Sequence, residues 1–155
     1  MQFARGVTVR AGEISICAPQ ANRIIYHRNE DYFAMNLDEG FADLFTEAKV
    51  LLVSGFNAMQ SETLLANRLA SMERMMAKLP SDAMVFLEDA GYHEPKFRQM
   101  VLGSLAGKDY IFSLNADELQ EHLKKELNFL DAFQIREALV ALKRLIPEPV
   151  IVLHT

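Results

Sequence analysis

The sequence predicts an α/β protein, a parallel sheet flanked by helices and preceded by antiparallel strands. Three observations lead there. Short apolar runs at 49–54, 83–87, 109–112 and 150–153 alternate with longer segments of helical periodicity, as βαβ units require. Residues 6–27 instead alternate apolar and polar positions between turn residues, the pattern of half-exposed antiparallel strands. The chain has 155 residues, 50% of them hydrophobic and 24% charged, which allows one domain with a real core.

Taken in order, GVTVR, EISICAP and NRIIYH are the antiparallel runs, with Ala11-Gly12 marking a hairpin between the first two. The grammar changes after Asn36, so we divide the chain at 1–36 and 37–155. Residues 37–46 read as a short helix, and Lys49 to Ser54 as a buried strand turned by Gly55. A long helix is expected from near Ser61 to Leu79, where Pro80 stops it. Its Leu65, Leu69, Met72, Met76 and Leu79 form a core-facing stripe.

The alternation goes on with a strand at 83–87, a helix at 94–105 and a strand at 109–112, which Ser113 and Leu114 leave. Helices at 115–127 and 133–145 follow, and Pro147 and Pro149 bracket the start of the last strand. This order implies right-handed crossovers and a sheet covered on both faces. Val150 to Leu153 reads as buried on both faces, yet Thr155 follows with no helix to cover it. The expectation is an incomplete fold, an internal piece of a longer protein or a shortened relative of one.

A formal net charge of -5 and the lack of any Lys/Arg run argue against nucleic acid as a partner. No segment approaches membrane-spanning length or has the apolar core of a signal peptide. Cys17 is the single cysteine, which excludes an intrachain disulfide and a thiolate metal cluster. A cytoplasmic location is the expectation.

Parallel strands bring their C-terminal tips to one edge. The expected strands deliver Ser54, Gly55, Phe56, Asn57 and Gln60 there, then Glu88 and Asp89, then Asn115 and Glu118. Carboxylates so gathered suit a magnesium ion that keeps several waters and bridges phosphate oxygens. Amides such as Asn57 and Gln60 suit hydroxyl recognition, because each offers donors and acceptors. The structural readings stand beside these. Asn115 with Glu118 three residues on is also a capping box, and a capped helix can still present Glu118 to a ligand. Glu88 and Asp89 are equally readable as solvent-facing, and His122, four residues after Glu118, as half of a surface helix pair. The four histidines show no metal-ligand spacing, and there is no Walker loop, dinucleotide fingerprint or serine-hydrolase elbow.

The ordered set of segments resembles the ADP-dependent glucokinase and phosphofructokinase family, whose fold is ribokinase-like (Rossmann-like). APQANRIIYHRN is similar to the family's lid segment with its proline and Asn-Arg pair. VLLVSGFNAMQ is similar to its strand ending in Ser-Gly and sugar-contacting residues. MVFLEDAGY resembles its His-x-Glu strand, FSLNADELQ its Asn-x-x-Glu motif, and VLHT its Val-His-Thr strand.

The resemblance implies that Glu88, Asn115 and Glu118 organise Mg2+, largely through water, with ADP as phosphoryl donor. It implies sugar contacts from Gly55, Asn57 and Gln60, and places Asn22 and Arg23 in the lid. The implied substrate is a hexose or hexose phosphate, converted as ADP becomes AMP. Two departures stand out. Phe86 replaces the histidine of His-x-Glu, and no Gly-x-Gly-Asp, the family's base and anion hole, occurs among the 155 residues. The chain alone is therefore expected to be inactive, its exposed final strand pairing with missing segments or another copy. The alternative from a different class is a non-catalytic α/β domain that binds a ligand or a partner.

Overall fold

The alternation at the start of the chain becomes a hairpin. In the computed structural model, which describes residues 2–17, 22–23 and 39–154, β2 (Thr8–Ala11) pairs antiparallel with β3 (Ile14–Cys17). Ala11 faces Ile14, so Gly12 and Glu13 form a two-residue loop, and Gly12 takes the positive φ of 62° such loops favour. β1 (Gln2–Phe3) pairs antiparallel with β4 (Asn22–Arg23). The remainder of the expected third run lies outside the described residues. These strands belong to the first of two compact units, Met1–Ala34 and Met35–Thr155.

The second unit is built on a four-stranded parallel sheet in the order β5 (Val50–Val53), β6 (Met84–Glu88), β7 (Ile111–Leu114), β8 (Val150–Leu153). Its connections carry α1 (Glu62–Met76), α2 (Pro95–Ser104), α3 (Ala116–Leu123) and α4 (Ala132–Leu145). A 3-10 helix at Glu39–Glu47 stands where the short early helix is expected. Ser61 caps α1 by accepting from Leu64 N–H, and Asp131 caps α4 by accepting from Phe133 and Gln134 N–H. The helix expected to run to 127 stops earlier, because Lys124 adopts the left-handed conformation with φ 50°. Ser113 and Leu114, expected to leave the third strand, are instead buried inside β7.

Alternate strand residues point to opposite faces. Val53, Val85, Leu87, Phe112 and Leu114 meet Leu65, Leu69, Met72 and Met76 of α1, Phe97 and Val101 of α2, Leu119 of α3 and Leu142 of α4 in one core. The Met-rich stripe is thus core. The other face differs from expectation: Val50, Leu52, Met84, Val150 and Val152 remain 40–65% exposed. β8 is therefore not buried on both faces. The strand order supplies the reason. When each parallel strand is added beside its predecessor through a crossover of constant hand, every connecting helix falls on the same face. Coverage of both faces requires the strand order to reverse, and among the described strands it does not.

Candidate functional site

Because β5, β6 and β7 are parallel neighbours, their C-terminal ends share one edge. After β5, Gly55 adopts φ 80° and leads into a 3-10 turn at Phe56–Ala58. Asn57 Nδ2 donates to Gly91 O at 3.5 Å, tying this turn to the loop that follows β6. Gln60 is exposed, one residue before the cap of α1. The structure thus brings Gly55 and Asn57 to the sheet edge. Asn22 and Arg23 lie in the first unit, on β4, where Arg23 is opposite Gln2 and Asn22 opposite Phe3.

Glu88 closes β6, in register with Ser113 of β7. Its half-buried carboxylate has Oε1 3.3 Å from His154 Nε2, which follows β8. At the tip of β7 the capping box is complete. Asn115 Oδ1 accepts from Glu118 N–H at 3.0 Å, and Glu118 Oε2 accepts from Asn115 N–H at 2.8 Å. One carboxylate oxygen is committed to the backbone, while Glu118 as a whole is buried. Burial raises its pKa above the ordinary carboxyl value. The Asn115 hydrogen bond opposes that shift, the Asp89 and Glu88 charges add to it, and the Arg98 charge opposes it weakly.

The sequence brings Asp89 to this edge but does not show its pairing with Arg98 and His122. Asp89 is not solvent-facing, and His122 is not half of a surface pair. Their side chains are 3% and 9% exposed, and His122 Nε2–H donates to Asp89 Oδ2 at 2.8 Å. Arg98, 12% exposed, brings Nε to 3.3 Å from Asp89 Oδ1, an ion pair without hydrogen-bond geometry. Its Nη2 donates to Ala90 O at 2.8 Å and to Glu121 Oε2 at 2.7 Å. The guanidinium lies 5.3 Å from the Tyr92 ring centroid, and His122 meets Phe112 edge-on. Burial, with the Asp89 charge adding, pushes the Tyr92 hydroxyl well above its ordinary pKa. No local spacing signals this network, since Asp89 and His122 are 33 residues apart.

Among the described residues no group of three or more His, Cys, Asp or Glu side chains stands close enough to enclose a metal ion. Among the described residues there is therefore no set that would ligate a cation entirely with protein side chains. A magnesium ion held by one or two carboxylates, its other positions taken by water and phosphate oxygens, does fit this chemistry. Burial and the Asp89 and Glu88 charges oppose ionisation of Glu118, against the Asn115 hydrogen bond and the Arg98 charge, and a cation beside it would favour the ionised form. Glu88 and Glu118 are the residues that would hold it.

Residues 1–141 match the family model described as ADP-specific Phosphofructokinase/Glucokinase conserved region. No curated protein matches the chain.

Proposed function

The chain belongs to the ADP-specific phosphofructokinase/glucokinase family, and we propose that it carries the metal- and phosphate-organising part of an ADP-dependent sugar kinase. Its helix-flanked parallel sheet is consistent with the ribokinase-like fold. The reaction is transfer of the β-phosphate of ADP to a hydroxyl of a hexose or hexose phosphate, leaving AMP. The observation that carries this reading is the shared edge, where the ends of β5, β6 and β7 deliver Gly55 with Asn57, Glu88, and Asn115 with Glu118.

Phosphoryl transfer depends on positioning and charge stabilisation more than on covalent chemistry by the protein. Magnesium supplies neutralisation of the phosphate charge. Glu88 and Glu118 would hold it, and Asn115 fixes Glu118 through the capping box. Gly55, Asn57 and Gln60 contact the sugar, with Asn22 and Arg23 on the lid. The protein works in the cytoplasm. The deprotonating base and anion hole of a Gly-x-Gly-Asp motif are absent from these 155 residues, so this chain binds without turning over.

Calorimetry of Mg2+ with ADP tests the binding, using the chain, Glu88→Ala and Glu118→Ala. Binding by the chain that both variants lose is expected; equal binding by all three would sink the assignment of these carboxylates. A coupled assay for AMP and sugar phosphate tests the rest, and robust turnover would overturn the claim of inactivity. A second reading, a non-catalytic α/β domain that binds a partner, draws on the open apolar sheet face. It predicts a folded chain that ignores ADP.

A further inference from the structure

We infer that Asp89, Arg98 and His122 are positioning residues that hold α3, and with it the Glu118 carboxylate, in a fixed place beside the end of β6. The inference rests on the reading of Glu88 and Glu118 as the cation-organising pair and adds a geometric control of that pair.

α3 has eight residues, too few to persist on helix propensity alone. Its place is set by what its side chains grip. Leu119 enters the core, and His122, one turn beyond Glu118, reaches across to Asp89. Asp89 immediately follows Glu88, and its N–H donates to Ser113 O at 2.8 Å, so β7 holds its backbone. A hydrogen bond from α3 to Asp89 therefore references Glu118 to the strand end that carries Glu88. Arg98 adds a second tie from α2, reaching Ala90 O beyond β6 and Glu121 on α3 with the same nitrogen. Asn115 and Glu118 cap one end of α3, and the network pins the next turn.

Net stability is a poor explanation for such an arrangement. Burying charges costs desolvation that their attraction often only offsets, and apolar replacements of similar volume can be as stable. What an apolar contact cannot do is specify direction. The 2.8 Å hydrogen bond and the double donation from Arg98 Nη2 fix both the rotation of α3 and its position along its axis.

The test compares His122→Gln with His122→Leu in the full chain. Gln keeps an N–H donor near the position of Nε2, whereas Leu keeps volume without a donor. Two readouts are taken on each folded variant: amide hydrogen exchange along α3 and α4, and calorimetric binding of Mg2+ with ADP. In His122→Leu, exchange at Glu118 and Leu119 is expected to quicken at least tenfold, with α4 unchanged and binding weakened at least tenfold. His122→Gln is expected to restore both to within about threefold of the parent. Arg98→Lys, which keeps the charge but loses the fork, serves if His122→Leu does not fold, and should show the same local loosening. Uniform acceleration across α3 and α4 would mean a merely structural role, and unchanged exchange at Glu118 would also overturn the inference. A parent chain that binds no ADP would defeat the proposed function, while the exchange pattern would still decide whether the network positions α3.

Discussion

The imidazole of His122 donates to the carboxylate of Asp89 at 2.8 Å across two elements, joining the last turn of α3 to the residue that follows β6. Arg98 faces the same carboxylate from α2. Three pieces of chain that each bring a residue to the sheet edge are thereby held by a single buried acid.

Asp89→Ala should be among the more destabilising substitutions in the chain. It removes the acid but leaves the Arg98 guanidinium buried, with Glu121 as its remaining carboxylate partner. Breaking a buried pair from one side costs about 3–5 kcal/mol. Urea unfolding measures it; a loss below about 1 kcal/mol would mean that solvent reaches Arg98 readily.

Glu118→Gln should not destabilise the chain at pH 7. The raised folded pKa means that the folded chain holds the Glu118 proton more tightly than the unfolded chain does. The resulting stabilisation is fully present below the ordinary carboxyl value of 4.5 and is lost as pH rises through the folded value. Gln keeps an acceptor for Asn115 N–H without the charge. Its urea midpoint should equal or exceed that of the parent at pH 7, and the advantage should shrink as the pH is lowered toward 4. A clear loss at pH 7 would contradict a carboxylate disfavoured by its surroundings.

The two faces of the sheet should answer differently to truncation. Leu87 is 2% exposed and Leu52 is 61% exposed, on opposite faces of neighbouring strands. Leu87→Ala should cost about 2–5 kcal/mol, while Leu52→Ala should stay within about 0.5 kcal/mol. Equal costs would show that something covers the second face in solution.

Two glycines give a matched pair. Gly55 has φ 80° and Gly103 lies in α2, and an added Cβ meets nothing within 4 Å at either. Only backbone conformation therefore separates them. Gly55→Ala should lose about 1–2 kcal/mol, whereas Gly103→Ala should gain about 0.5–1 kcal/mol. Thermal unfolding of both variants decides it, and a stabilised Gly55→Ala would contradict the left-handed turn after β5.

Much of the fold was legible because its signals are local. The period of Leu65, Leu69, Met72 and Met76 marked α1, Gly12 marked the hairpin, and the Asn115–Glu118 spacing marked a cap that the structure forms. The end of β7 is not legible in this way, because Ser113 is polar yet buried. Its burial comes from its place in a central strand, flanked by β6 and β8, which spacing along the chain does not express.

The sequence by itself determined the alternation of strands and helices, the Asn115–Glu118 cap and the delivery of Glu88, Asn115 and Glu118 to strand ends, since each depends on residues within a few positions of one another. Tertiary structure alone decided the rest. The order β5-β6-β7-β8 leaves one apolar face open, an outcome of topology that no local pattern contains. The Asp89, Arg98 and His122 network likewise exists only once β6, α2 and α3 meet. A buried charge selects its partners by distance through space, and residues 33 apart in the chain become neighbours only when the sheet edge has formed.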